Sequence, residues 1–108
     1  MPRYISTTLS YATVTVTTAI SYAAAINDRV LCTAGGITIT LPVSTSLTVG
    51  DTVQIIDVAG ASGGSNITVA RNGANIQGQA QDLTIDSNNA SPVLIYTGAT
   101  YGWVIAGS

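Results

Sequence analysis

The sequence predicts an all-β fold, a compact antiparallel sandwich or jelly-roll-like barrel. Apolar and hydroxyl residues alternate with a period of two at 13–17 (TVTVT) and at 37–41 (ITITL), as on strands that bury one face. Turn-forming residues separate the apolar runs at a spacing of about eight to twelve residues, which is typical of sandwiches and barrels. No repeat of roughly 20 to 50 residues is visible, and this argues against a solenoid.

Apolar runs along the chain predict the individual strands. The run 13–17 is the first, and Pro42 ends the strand at 37–41 because it lacks an N–H donor. The run 53–58 (VQIIDV) is apolar on both faces, so we expect either a central strand covered twice or a bulge that shifts its register. The remaining predicted strands are 29–32, 52–58, 66–70, 82–85, 93–97 and 102–105.

The segments between these runs have turn chemistry. Hairpin turns are predicted at 34–36 (AGG) and 72–73 (NG), because these residues tolerate positive φ. The segment 97–100 (TGAT) joins the last two strands in the same way, and 61–65 (ASGGS) is typical of a flexible surface loop. The segment 21–27, with three consecutive Ala, fits a short helix, a strand edge or a turn.

The chain carries very little charge. Its 108 residues include three Arg and five Asp but no Lys, Glu or His, and charged residues make up 7% against about 25% in ordinary soluble domains. Thr, Ser, Asn, Gln and Gly take their place, which gives a polar but nearly uncharged surface that resists aggregation poorly in a free monomer. We therefore expect copies of the chain, or a larger assembly, to cover its flanks.

The same composition argues against several functions. Without His or Lys, and with one Cys, most nucleophile–base pairs and most zinc or haem ligand sets cannot be built, so we expect no enzyme, no cofactor and no metal. Three scattered Arg give no basic footprint for nucleic acid. Neither a signal peptide nor an apolar run long enough to span a membrane is present. We expect synthesis in the cytoplasm and no membrane partner.

Three remaining groups of residues have ordinary structural explanations. Asp82 and Asp86 would lie roughly 13 Å apart on an extended strand, beyond the ~5–9.5 Å between the carboxyls of glycosidases. The oxygen-rich turn 86–89 (DSNN) fits hydrogen-bonded Asx turns better than a calcium site, because it lacks alternating acidic ligands. Cys32, in an apolar run, is predicted to be a small buried hydrophobe.

Four stretches in a fixed order carry a resemblance. They are ITITLPVS, VGDTVQIIDVAG, NITVARNGANIQG and DLTIDSNNASPVLIYTGATYGWVI, and the resemblance covers about residues 13–105. In this order they resemble a β-module that is common in virion proteins of tailed bacteriophages. The resemblance implies a trimeric tail-fibre, tailspike-like or head-decoration protein, found in the virion.

The length of the chain favours one of these roles. It begins with Met1, and no shaft or coiled coil precedes the module, so we expect a cement protein rather than a fibre tip. Such a protein would bind the major capsid protein on the outside of the head as a homotrimer. It would stabilise the shell by mass action, because it binds the assembled lattice and not loose subunits. The alternative is a tail-fibre or tailspike tip that binds a host surface glycan.

We divide the chain into an N-terminal arm, 1–12, and a single β domain, 13–108. The arm is a candidate for docking to the capsid, since Tyr and Arg are frequent in interface hot spots. The alternatives are a frayed terminus or a first edge strand. The candidate docking residues are Arg3, Tyr4, Ile5, Leu9 and Tyr11.

Two further surfaces are predicted. Rows of Thr on an uncharged strand face could pair across subunits of the trimer, or could simply be solvated. These candidate trimer residues are Thr13, Thr15 and Thr17, or Thr38 and Thr40. On a regular strand Tyr101 and Trp103 would share one face and could stack on a sugar, whereas the simpler explanation places Trp103 in the core.

Overall fold

The computed structural model describes residues 13–107. These residues form nine β-strands and a 3-10 helix, Ser44–Ser46. The strands are β1 (Val14–Thr18), β2 (Tyr22–Ala23), β3 (Asp28–Cys32), β4 (Thr38–Thr40), β5 (Thr52–Asp57), β6 (Ile67–Ala70), β7 (Leu83–Ile85), β8 (Val93–Tyr96) and β9 (Trp103–Gly107). The predicted all-β class is confirmed, and every predicted strand overlaps an observed one.

The strands lie in two mixed sheets, which we call sheet I and sheet II. Sheet I has the order β1-β3-β5-β8-β9, and sheet II has the order β2-β4-β6-β7. The chain alternates between the sheets from β1 to β6, and within each sheet these strands pair in parallel. The first six strands are therefore three coils of a short parallel solenoid. The prediction of antiparallel pairing is wrong for them, and so is the argument against a solenoid.

Unequal coils explain why no repeat is visible in the sequence. In sheet I the register offset is 14 residues from β1 to β3 (Val14 with Asp28) and 25 residues from β3 to β5 (Arg29 with Gln54). Sheet II shows the same inequality between its parallel pairs. A solenoid leaves a sequence period only when its turns have equal lengths, so the connections conceal the architecture.

The last three strands close the two sheets in antiparallel fashion. β7 pairs with β6, β8 with β5, and β9 with β8. The predicted turn between the last two strands is confirmed, with the Thr97 amide donating to the Gly102 carbonyl. The other two hairpin predictions are wrong, because 34–36 crosses from sheet I to sheet II and 72–73 belongs to a longer connection. The segment 21–27 contains β2 and a turn rather than a helix.

The core lies between the sheets and is built from the inward residues of each strand. In β5 the inward residues Val53, Ile55 and Asp57 are buried, and Gln54 and Ile56 point outward. Of the expected central strand covered on both faces, the central position is confirmed, because β5 lies between β3 and β8. Its inner face is covered by sheet II, whereas Ile56 on its outer face is half-buried. The sequence also predicts a layer that packs on the outer face of β5, and residues 13–107 do not form one.

Trp103 lies at the end of the core where β5 begins, since its strand partner Tyr96 donates its amide to the Asp51 carbonyl. It has 0% exposure and packs edge-on against Tyr96, with the ring centroids 5.7 Å apart. The preceding residue, Gly102, has a φ of 67°, and a Cβ there would collide with the backbone carbonyl of Asn75. That contact is fixed, because the Trp103 amide donates to the Asn75 carbonyl at 2.8 Å. Only glycine fits at this point.

The Gly102→Ala variant tests this close approach. We expect it to lower the free energy of unfolding by about 2 kcal/mol or more, since strain in the left-handed region adds to a backbone collision. The control is Gly64→Ala, because a Cβ at Gly64 meets no atom within 4 Å. Urea denaturation followed by the fluorescence of Trp103 measures both. Equal stability of the two variants would contradict the described packing.

Candidate functional site

A buried carboxylate organises the loops at one end of the molecule. Asp57, the last residue of β5, is 1% exposed. It accepts hydrogen bonds from the backbone amides of Ala61 (3.2 Å), Ser62 (3.0 Å) and Asn89 (3.0 Å) and from the Ser62 hydroxyl (2.8 Å). The carboxylate therefore joins the loop after β5 to the loop before β8.

These hydrogen bonds decide the charge of Asp57. Burial by itself would raise the pKa of the carboxyl group, but the donors from Ser62, Asn89 and Ala61 favour the charged form more strongly and lower the pKa to about 2. Asp57 is thus an anion at all ordinary pH values, stabilised by backbone amides and a hydroxyl, and no cation pairs with it among residues 13–107. Such a group holds loops together and is unsuited to donating a proton.

Three other Asp residues also accept hydrogen bonds from backbone amides. Asp28 accepts from the Tyr22 hydroxyl at 2.9 Å and from the Ala25 amide at 2.8 Å. Asp51 accepts from the amide of Thr48, and Asp82 accepts from the amide of Arg71. Among residues 13–107 no group of three His, Cys, Asp or Glu side chains is arranged to hold a metal ion.

Cys32 lies beside this cluster. It is fully buried and is paired in register with Asp57 on the neighbouring strand. Burial, together with the charge of Asp57, raises the pKa of the thiol to about 11. The thiol is therefore protonated at neutral pH and unreactive. The prediction of a small buried hydrophobe is confirmed.

The structure places the predicted Thr rows on two different surfaces. Thr15 and Thr17 are exposed on the outer face of sheet I, and Thr13 is exposed just before β1. Thr38 and Thr40 lie on the outer face of sheet II. The two rows therefore cannot form one common contact surface.

Sheet II carries a Thr row that we did not predict. Thr38 is level with Thr68 in β6, and Thr68 is level with Thr84 in β7. The alternation of NITV and LTI in the sequence indicates that each strand exposes a Thr. Only the strand register shows that these Thr side chains are neighbours in one row. We call the outer face of sheet II, with these three Thr, face II.

The outer face of sheet I, which we call face I, is more apolar. Its half-buried aliphatic residues are Leu31, Ile56, Val93, Ile95 and Val104. Arg29 is the charged residue of this face among those described, and its Nε donates to the Gln54 side chain at 3.2 Å. Sequence analysis identified only the 53–58 part of this face, since the rest depends on which strands adjoin.

A shallow apolar groove of about 180 Å³ opens between β7 and β9. These two strands form the edges of sheets II and I on the same side of the molecule. The lining includes Leu83, Ile85, Ala90, Pro92 and Ile105, with Asp86 at the rim. Asp86 is exposed and makes no hydrogen bond or ion pair with other described residues. We call this feature the edge groove.

The other predicted site residues have different outcomes. The candidate docking residues Arg3, Tyr4, Ile5, Leu9 and Tyr11 lie outside the described residues. The glycan patch is wrong as a surface, because Tyr101 is 65% exposed whereas Trp103 is completely buried. The two side chains do not share a face, since Tyr101 belongs to the turn before β9.

A scan against protein-family models gives no match, and a search of curated proteins gives none either. Within residues 13–107 there is no helix of the length and hydropathy needed to cross a membrane.

Substitution of Asp57 should be strongly destabilising. Asp57→Ala leaves three amides without their acceptor, whereas the Ser62 hydroxyl keeps the Ser87 carbonyl at 2.6 Å. We expect a loss of at least about 3 kcal/mol in the free energy of unfolding. Asp51→Ala removes one hydrogen bond at a partly exposed site, so its expected cost is about 1 kcal/mol. Urea denaturation compares the two. A cost for Asp57→Ala no larger than that for Asp51→Ala would contradict the central role of this carboxylate.

The low pKa of Asp57 predicts an acid-dependent stability. Because folding lowers this pKa from an ordinary value of 3.8 to about 2, the stabilisation is complete above about pH 5 and is lost as the pH falls towards 2. The Asp57→Asn variant should be less stable at neutral pH and should show a flatter profile over this interval. Denaturation curves from pH 6 to pH 2 measure the difference, and parallel profiles for both proteins would disprove it.

Proposed function

We propose that the protein is a structural component of a phage head, a cement protein that binds the outside of the shell as a homotrimer and stabilises it. The observation that carries the proposal is the chemistry of the two sheet faces. Face II presents Thr, and face I presents aliphatic residues together with Thr15, Thr17 and Gln54 and a single Arg among the described residues. Broad surfaces of this kind suit protein contacts made through shape and hydrogen bonds rather than through charge pairs.

The use of the acidic residues also supports a structural role. Asp28, Asp51, Asp57 and Asp82 each accept a backbone amide, so their carboxylates stabilise turns and loops. A buried carboxylate held by amides at a pKa of about 2 is tuned for permanent charge, whereas general acids and bases work near the ambient pH.

A parallel solenoid closed by antiparallel strands is a suitable scaffold for such a task. Its two sheets each expose an outer face, and Asp57 holds together the loop after β5 and the loop before β8. A cement protein gains its effect by binding the assembled lattice more tightly than free subunits, so that every bound copy shifts the equilibrium towards the intact shell. The tail-tip alternative needed an exposed platform of Tyr101 and Trp103, and the burial of Trp103 removes that support.

The proposal predicts selective binding to assembled heads. Purified protein, mixed with expanded heads that lack it, should sediment with the heads until a fixed ratio to the major capsid protein is reached. Unassembled capsid subunits, the matched control, should bind it weakly. Decorated heads should also retain DNA at a higher temperature than bare heads. Failure to sediment with heads, or equal binding to loose subunits, would overturn the proposal.

A further inference from the structure

A ring of three identical chains needs two different contact patches on each chain, because a three-fold axis brings one surface of a copy against another surface of the next. The homotrimer is part of the proposed function, and the inference rests on it. The described residues offer one pair of patches that are chemically complementary: face I and the edge groove.

Face I carries a positive charge that lacks an acidic partner. Arg29 is exposed in β3 and donates to the neutral Gln54 side chain, and it makes no ion pair among residues 13–107. Leu31 and Ile56 are level with each other in the same sheet, and Val93 is level with Gln54. Arg29 itself is level with the polar residues Thr15 and Gln54, so its uncompensated guanidinium lies beside the aliphatic part of face I.

The edge groove has the opposite character at its rim. Asp86 follows β7 directly, and its carboxylate is free of partners within the described chain. Below it the groove is lined by Leu83, Ile85 and Ile105, of which Ile105 is 36% exposed. A volume of about 180 Å³ is enough for one large aliphatic side chain, since an apolar cavity of about 150 Å³ accommodates benzene.

The placement of the two patches allows a ring to close. Face I points outward from sheet I, whereas the groove lies at the side of the molecule where β7 and β9 end the sheets. The patches are therefore set at an angle on one copy. Patches on opposite sides would join copies into an open filament instead.

We propose that face I of one copy packs over the edge groove of the next copy, with Arg29 paired to the neighbour's Asp86 and an aliphatic side chain of face I in the groove. The occupant of the groove is thus a second copy of this chain. Each charge would be costly to cover alone, whereas the pair compensates both and fixes the register of the contact. Face II remains free on the outside of the ring.

Charge reversal provides the test. The variants are Arg29→Asp, Asp86→Arg and the double variant that carries both changes, and Thr45→Asp in the exposed 3-10 helix is the control. Sedimentation velocity at micromolar concentration measures the association. We expect each single reversal to raise the trimer dissociation constant by about tenfold or more, since like charges then meet. The double variant should return to near the wild-type value, and the control should match the wild type.

The outcomes separate this inference from the proposed function. A wild-type trimer whose single reversals associate normally, or whose double variant fails to recover, overturns the Arg29–Asp86 contact while leaving the homotrimer intact. A wild-type chain that is monomeric at every concentration overturns the homotrimer itself. If a reversal impairs folding, judged by the fluorescence of Trp103, the neutral variants Arg29→Gln and Asp86→Asn replace it. Both should weaken association several-fold, and unchanged association would contradict the proposal.

Discussion

The buried carboxylate of Asp57 is the constraint on which the rest of the structure depends. It ends the central strand of sheet I, where the third coil leaves for sheet II. Its oxygens hold Ala61 and Ser62 at the start of that crossing, and they hold Asn89 ahead of β8. Asn89 in turn donates its side-chain amide to the Asp57 carbonyl at 3.3 Å. One residue thereby joins the parallel coils to the antiparallel strands that close them.

Local pattern predicted the strands well and their partners poorly. Alternation placed β1 and β4 to within a residue at each end, because side-chain parity is a local property. Parallel pairing was missed because the coils differ in length, with offsets of 14 and 25 residues in sheet I, and so leave no repeat in the sequence. Alternation is the same for parallel and antiparallel strands when one face is solvated. The two-residue strand β2 was too short to separate from a turn.

The candidate site was less predictable, since it is assembled from distant parts of the chain. The role of Asp57 depends on amides up to 32 residues away, although an Asp at an inward position of an apolar run was a signal for it. Face I and the Thr row of face II need the strand order before their members adjoin. Burial of Trp103 was foreseen as the simpler alternative, and it removes the sugar platform. What composition did indicate is a surface low in charge, which the structure distributes over two sheet faces.

The most direct test of the central claim is the copy number of this protein in purified virions, measured by quantitative mass spectrometry relative to the major capsid protein. A protein that covers a capsid lattice should be present in a number of copies set by the number of capsid subunits. The account predicts a ratio comparable to that of the major capsid protein. A few copies per particle would place the protein on the tail, and its absence from the virion would contradict a structural role in the particle.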